Sequence, residues 1–585
     1  MYLEKINSPD DVKKLITGEL ETLAKEMRQA LITKTSWCGG HLASNLGVVE
    51  LTIALHYVFH SPTDKIIFDV SHQSYCHKML TGRNNAFLFP EHYDEASGFS
   101  NPAEGEHDSF HIGHTSTSIS LACGLAKARD LCGGRENIIA VIGDGALDGG
   151  EAFEGLNFAT ELGSGLIIVI NDNDMSILEN PGGLSRHLNE LAQCKGGTKE
   201  NYFQSLGFSY RFVPDGHNIG KLIQAFQAVR DTNMPVVVHV RTQKGKGYSP
   251  AEADKENWHW VRPFYIETGK IKSARSTENY GKIACDYLMQ KMEKDPSVAV
   301  VTAATPICIG FNRMEREKAG RQFIDVGIQE QHAVSMVAGM ATNGCKPVFA
   351  TNGTFFQRAY DQIEQELCIN RCPATMIVTH ASVLGHTNVT HVGLLDIALL
   401  GNIPGLTYLA PTNKEEYLAM LDWSIEQKEG PVAIRVPWHG VYHTAEQVDT
   451  DYSSVSYKTE ATGNQVAILA LGGFYQFGEA VAALLKDRTG IHPTLVNPRF
   501  ITGIDAETLD SLKENHKLVV TLEDGILSGG YGSKIAQYYG SNNIKVLCKG
   551  FGMDIPVTYD PAEMMRKNRL TKELIVEDIL SALNA

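Results

Sequence analysis

The apolar run Ile138–Ile142 passes without a break into Gly143-Asp144-Gly145 and then into a helix-like GGEAFEGLNFA. The next apolar run, Leu166–Ile170, ends in Asn171-Asp172-Asn173. A carboxylate closing one strand and an amide closing its neighbour can converge at the carboxyl edge of a parallel sheet. That edge is where open α/β sheets bind their ligands. Two hard oxygen ligands with open positions suit Mg²⁺ carrying a diphosphate, and glycines let the backbone come close to phosphates. Alone, Gly143-Asp144-Gly145 is also the composition of an ordinary strand-to-helix turn. The second motif, in the same strand context, gives the first its weight.

The same alternation of β-branched runs with helical patterns continues at Val236–Val240, Val298–Thr302, Met376–Thr379, Val466–Leu471 and Leu518–Leu522, which predicts parallel α/β layers. A chain of 585 residues exceeds what one core supports. Two polar interruptions, Tyr265–Asn279 and Gln447–Asn464, place boundaries near 275 and 450. The division expected is 1–275, 276–450 and 451–585. A net charge of −16 argues against a nucleic-acid binder but not against anionic metabolites. The 11 cysteines are scattered and odd in number, as for reduced thiols rather than a disulfide framework. With no apolar leader in MYLEKINSPDDVKKL and no membrane-length apolar run, the expected address is cytoplasmic, with no membrane partner.

Further blocks narrow the class. GGHLASNLGVVELTIALHYVF (39–59), FDVSHQSYCHKMLTGR (68–83), GHTSTSIS (113–120), KGKGYSPAE (244–252), FIDVGIQEQHAV (323–334), TFFQRAYDQ (354–362) and VNPRF (496–500) surround the Gly143 and Asn171 motifs. Together they resemble the 1-deoxy-D-xylulose-5-phosphate synthase family of the transketolase superfamily, from about residue 8 to the end of the chain. The resemblance implies three transketolase-like α/β domains: a diphosphate domain, a pyrimidine domain and a C-terminal transketolase domain that supports a homodimer. It implies thiamine diphosphate and Mg²⁺ as cofactors. It also implies a transferase that adds pyruvate to glyceraldehyde 3-phosphate with loss of CO₂, giving 1-deoxy-D-xylulose 5-phosphate for isoprenoid, thiamine or pyridoxal synthesis.

Carried onto matching positions, Asp144, Asn173 and the carbonyl of Met175 would bind the metal. Ser44, His72, Gly113, His114, Thr115, Gly145, Ala146 and Lys244 or Tyr248 would surround the diphosphate and thiazolium. Phe355 would stack on the aminopyrimidine and Ile328 would wall its pocket. Glu330 would be the proton-relay carboxyl, a role that needs a protonatable group in an apolar niche. His41, His114 and His259 would carry protons, whereas His56 and His60 read as structural. Arg358 and His391 would contact substrate.

The acceptor side departs from the family pattern. Asn352 replaces a tyrosine, Thr379-His380-Ala381-Ser382 stands where DRAG is expected, Thr387 replaces an aspartate, and Trp438 replaces the arginine of YPRG. An arginine holds phosphate through a rigid charged fork, which neither histidine nor tryptophan replaces. Two outcomes stay open: compensation by His380, His386, His439 or Arg262, or a changed acceptor, phosphorylated or not. The segment 187–208 is also shorter than is usual for the family, which predicts altered access to the site or altered closure over it. Two other readings are a transferase with a ketose donor or another aldehyde acceptor, and an inactive cofactor-binding paralogue. The joint presence of Glu330, Asp144 and Asn173 speaks against the paralogue.

Overall fold

The computed structural model describes residues 1–198, 200–273, 278–383, 388–438 and 440–584. The chain forms two compact units, one of residues 1–275 with 327–329, the other of 276–326 with 330–585. Among the described residues, no helix is long and apolar enough to cross a membrane.

In the first unit, β1 (Lys65–Phe68), β2 (Ile138–Gly143), β3 (Ile167–Asp172), β4 (Ser209–Val213) and β5 (Val236–Arg241) form one parallel sheet in the order β1-β2-β3-β5-β4. Its central strands β2, β3 and β5 are apolar along most of their length because both faces are covered, whereas the edge strand β4 (SYRFV) is only partly buried. Ile139, Val141, Val169 and Val238 pack on one face against helices Val49–Val58 and Ile219–Gln227. Their neighbours Ala140, Ile142, Ile168 and Ile170 pack on the other, against helices Ser118–Cys132 and Gly150–Ala159. A side-chain period of two sends alternate residues to opposite faces, so an unbroken apolar run is what such a strand needs.

A buried ion pair holds the loop that carries Lys244. Arg28 clamps Glu50 through two nitrogens at 2.5 and 2.6 Å, donates from Nε to the Lys246 carbonyl (3.0 Å), and His217 adds a contact to Glu50 at 2.9 Å. Burial opposes ionisation of Glu50, but hydrogen bonds from His217 and Arg28 bring its pKa from 4.5 to about 2. A depressed carboxylate contributes stability above its unfolded pKa and loses it as pH falls through the folded one. The shift corresponds to about 3 kcal/mol. The melting-temperature gap between wild type and Glu50→Gln is therefore expected to be widest at neutral pH and to close as pH falls from 4.5 toward 2.

The second unit contains two sheets. The first comprises β6 (Val298–Thr302), β7 (Phe323–Asp325), β8 (Lys346–Asn352), β9 (Thr375–Thr379), β10 (Thr407–Leu409) and β11 (Val432–Arg435). All its strands are parallel, in the order β10-β11-β9-β8-β6-β7. The second comprises β12 (Lys458–Ala461), β13 (Gln465–Ala470), β14 (Thr494–Asn497), β15 (His516–Ile526) and β16 (Lys545–Phe551), in the order β12-β14-β13-β15-β16. One core joins Phe349, Met376 and Val378 to Leu469 and Val519, with helix Glu330–Thr342 contributing Ala333, Val334 and Val337. The polar stretch 447–464, expected to be a boundary, holds an antiparallel edge strand, β12, whose residues alternate between half-buried and exposed. The boundary expected near 275 falls on residues outside those described. Asn279, at the end of the other polar stretch, caps helix Tyr280–Lys294 by accepting from the Lys282 amide.

Candidate active site

In the first unit the parallel register aligns Gly143 of β2 with Asn171 of β3, so the two motifs end side by side. Asp144 and Asn173 are 3% and 6% exposed, and the Asn173 amide donates to Asp144 Oδ2 at 3.3 Å. Asp144 Oδ1 and Asn173 Oδ1 are both buried with no hydrogen-bond partner among the described residues. Burial, then the Asp172 and Asp174 carboxylates, push the Asp144 pKa well above its usual range. Asp172 stays ionised despite its burial, because His239 (2.7 Å) and Arg241 (2.7 Å) hold it.

Two orphaned oxygens under negative potential are what a cation would satisfy. Among the described residues, no three His, Cys, Asp or Glu side chains group to hold a metal. A cation here would therefore take one carboxylate, one amide and oxygens from elsewhere. That is the habit of Mg²⁺, which keeps waters and phosphate oxygens rather than a protein cage. Gly145 is required for a different reason: a Cβ there would lie 2.4 Å from Ser176 Cβ and 2.9 Å from Asn180 Oδ1, so the loop after β3 closes directly on it.

The histidines of three distant blocks converge in the same unit. Ring centroids of His41, His72 and His259 lie 5.1, 5.6 and 5.2 Å apart pairwise. Lys244 Nζ lies 3.0 Å from His259 Nδ1 and donates to the Ser176 carbonyl, and Ser44 Oγ is 3.4 Å from the same imidazole nitrogen. Lys244 is 2% exposed, and burial lowers its pKa to about 7, with Asp144 the largest opposing influence. Burial first, then the Lys244, His72 and His41 charges, hold His259 well below the usual histidine range. A desolvated lysine bounded by imidazoles and a carbonyl suits an anion such as a diphosphate. These residues therefore fit the cofactor that the resemblance implies.

His114 and Thr115 lie half-buried on the loop after Gly113. Asp69, at the end of β1, shapes that loop by accepting from the Ser116 amide (2.7 Å) and the Ser118 amide (2.9 Å). Ser116 in turn donates to the Ala146 carbonyl at 2.7 Å. Val70 and Ser71 both adopt left-handed backbone (φ 58° and 63°) just before His72, and for a β-branched residue that is an outlier. Asp69, Ser116, Ser176 and Asn180 act on the site without having been singled out; only the outlier turn itself, invisible in composition, marks this corner. Tyr248 sits instead in a hydrophobic cluster with Trp258 and Phe264, its hydroxyl donated to the Ile266 carbonyl at 2.8 Å, so Lys244 is the member of that pair that faces the histidines. Ile328 packs with this unit, its carbonyl 3.4 Å from where a Cβ on Gly149 would stand. His56 is fully buried against His77 (2.9 Å) and His60 pairs with Lys13, away from these groups. The 187–208 segment is tied by Tyr202 donating its amide to His187 Nε2 at 3.1 Å.

In the second unit Glu330 opens helix Glu330–Thr342 and is 3% exposed, with Oε2 lacking a hydrogen-bond partner among the described residues. Burial raises its pKa, while the Arg358 charge and a backbone hydrogen bond oppose the rise. Phe355 and Arg358 lie on the helical turn Gly353–Ala359 that leaves β8. Phe355 meets His391 edge-on at 5.7 Å. The His391 loop is held by Asn388 Oδ1, which accepts from the Thr390 amide and hydroxyl, and by Val389 donating to the Val557 carbonyl at 2.9 Å.

At the carboxyl end of β9, Thr379 Oγ1 donates to Asn352 Oδ1 at 3.1 Å and lies 3.2 Å from His380 Nδ1. His380 lies against Trp438, with ring centroids 4.4 Å apart at 40°. His386, Thr387 and His439 lie outside the described residues, and Arg262 donates to Ser273 Oγ in the first unit. Ser382 adopts φ 98°, donates its amide to the Gly393 carbonyl at 2.6 Å, and has a buried hydroxyl with no partner among the described residues. Ser382→Gly removes both the strain and the orphaned hydroxyl. It is expected to stabilise the fold by about 1 kcal/mol, seen as a raised melting temperature.

The 1-deoxy-D-xylulose-5-phosphate synthase family model matches residues 3–199 and 192–242. The transketolase pyrimidine-binding domain matches 278–440 and the transketolase C-terminal domain matches 456–575. Curated relatives include a 1-deoxy-D-xylulose-5-phosphate synthase of Alkaliphilus oremlandii, 41% identical over 93% of this chain and 92% of the relative. Another, from Lachnoclostridium phytofermentans, is 38% identical over 99% of this chain and 98% of its own. Among solved structures, a transketolase from Pichia stipitis is 15% identical, covers 97% of each chain and has a TM-score of 0.45.

Proposed function

The chain belongs to the 1-deoxy-D-xylulose-5-phosphate synthase family, and from that membership we propose which of its residues perform the reaction. The enzyme is a thiamine-diphosphate-dependent transferase that condenses pyruvate with glyceraldehyde 3-phosphate, releasing CO₂ and forming 1-deoxy-D-xylulose 5-phosphate for isoprenoid synthesis. Thiamine diphosphate, when bound, supplies the electron sink that lets the bond between the carbonyl carbon and the carboxylate of pyruvate break. The domains 1–275, 276–450 and 451–585 divide the work into diphosphate binding, pyrimidine binding and support.

Asp144 and Asn173, with the Met175 carbonyl, hold Mg²⁺; their two orphaned oxygens are the observation that carries this reading. Lys244, Ser44, His72, Gly113, Thr115, Gly145 and Ala146 receive the diphosphate and thiazolium end. Phe355 and Ile328 bound the aminopyrimidine, and Glu330 holds a proton at its buried carboxyl for the pyrimidine nitrogen. His41, His114 and His259 orient substrate and carry protons, and Arg358 and His391 face it. A cytoplasmic homodimer completes the reading. Exposed Phe153 and Phe158 (37% and 53%), on helix Gly150–Ala159, offer a second copy apolar surface.

The test is release of labelled CO₂ from carboxyl-labelled pyruvate by purified protein with thiamine diphosphate and Mg²⁺. Release stimulated by glyceraldehyde 3-phosphate and abolished by chelation is expected. Absence of release under all conditions would remove this reading, and light scattering on the same sample reports the dimer.

A further inference from the structure

Three carboxylates stand at the carboxyl ends of β2 and β3: Asp144 directly after β2, Asp172 closing β3, and Asp174 just beyond it. The Asp172 and Asp174 charges both reach Asp144. Carboxylate number and site rigidity set how tightly an oxygen-ligand site takes a divalent cation, so three such groups could bind one by themselves. Yet among the described residues no three acidic, imidazole or thiol side chains are disposed to hold a metal. Asp172 and Asp174 are turned to other partners.

Strand β5 supplies those partners, its parallel register setting Arg241 beside Asp172. Asp172 Oδ2 accepts from His239 Nε2 and Arg241 Nη1, both at 2.7 Å, and its Oδ1 accepts from the Asp174 amide at 3.3 Å. Tyr210 on β4 braces His239, its hydroxyl 2.7 Å from Nδ1. Asp174 adopts left-handed backbone (φ 62°), and Arg241 grips both of its oxygens, Nη1 donating to Oδ1 at 3.0 Å and Nη2 to Oδ2. The Asp174 side chain is 43% exposed, so this fork rather than packing decides where its carboxylate points. Two oxygens at this corner are left buried with no partner among the described residues, Asp144 Oδ1 and Asn173 Oδ1.

We propose that Arg241 is a positioning residue that holds Asp174 and, with His239, Asp172 away from the cation, and so makes metal binding depend on the diphosphate. This rests on the metal site proposed above. With one carboxylate and one amide free, the side chains offer too few oxygens for Mg²⁺, which completes its shell with phosphate oxygens and water. Metal and diphosphate therefore enter and leave together. Releasing Asp174 from its fork adds a mobile carboxylate beside Asp144, and the cation then binds without the cofactor.

The experiment follows Mn²⁺ binding to the full chain, with and without thiamine diphosphate, by loss of the free ion's electron paramagnetic resonance signal. Wild type is expected to bind Mn²⁺ about tenfold or more tightly with the cofactor than without it, the worth of a charged contact. Arg241→Met is expected to raise the cofactor-free affinity by about tenfold or more, the scale on which outer partners act on a metal. Losing a nearby cation would by itself favour Mn²⁺, so Arg241→Lys is the control, and it also serves should Arg241→Met fail to fold. Lysine keeps the charge but cannot grip two carboxylates at once. It should still raise the cofactor-free affinity severalfold and lose that gain when Asp174→Asn is added. A gain confined to Arg241→Met, a gain that survives Asp174→Asn, or no gain in either variant overturns the proposal. Wild-type binding as tight without thiamine diphosphate as with it overturns the proposal and spares the metal site, whereas no Mn²⁺ binding in either condition removes both.

Discussion

Glu330→Gln is expected to bind thiamine diphosphate about as well as wild type and to lose about 10²–10⁴-fold in turnover, the usual worth of a positioned acid–base group. The substitution preserves shape but replaces a carboxyl oxygen with an amide NH₂, so the group can no longer lose or gain the carboxyl proton. Glu330 is 3% exposed, and its Oε2 has no hydrogen-bond partner among the described residues, so the amide enters without displacing an existing contact at that atom. Burial raises the carboxyl's pKa, which keeps the group protonatable and able to share a proton with a ring nitrogen, while Arg358 limits the rise. Cofactor titration followed by fluorescence separates binding from turnover. Retention of more than about a tenth of the wild-type rate, with the cofactor bound, would show that Glu330 is a structural carboxyl at a helix start.

The parallel sheets were legible because both faces of their central strands are covered, so the run Ile138–Ile142 is apolar throughout and Val236–Val240 is apolar but for His239. β12 was not, since an edge strand with one exposed face reads KTEA, a sequence indistinguishable from a linker. Gly145 was legible as a place of close approach, but its neighbours Ser176 and Asn180 were not, because a turn after β3 decides what lands on it. The gathering of His41, His72 and His259 could be inferred only through family resemblance, for no local pattern links residue 41 to residue 259. Both His380 and Trp438 were visible as departures from a motif. That they touch each other, and that His380 and Ser382 pay in backbone strain, is tertiary information. Tyr248, carried over with Lys244 from the family motif, donates its hydroxyl to the Ile266 carbonyl within a hydrophobic cluster, a placement that the motif alone does not reveal.

Asp144→Asn is expected to move stability and activity in opposite directions. Without metal, Asp144 is buried beside Asp172 and Asp174, and its pKa is raised by burial and by those two charges. A neutral isostere removes the repulsion and the desolvation cost, so the variant without cofactor should melt at or above the wild-type temperature. With Mg²⁺ and thiamine diphosphate the order reverses. Ligand binding stabilises the folded state by an amount that grows with saturation, about 2.7 kcal/mol at one hundred times Kd. Losing the one carboxylate among the proposed ligands should weaken the metal by at least the 10–100-fold or so that an outer partner is worth. The variant's melting temperature should therefore hardly rise on adding the cofactors, and its turnover should fall by about 10³-fold or more, because the metal's charge neutralisation supplies several kcal/mol. Thermal melts with and without the two cofactors decide the matter. A variant that melts far below wild type without metal would show that Asp144 serves the fold, and one that keeps the full cofactor-dependent rise would show that the cation is held elsewhere.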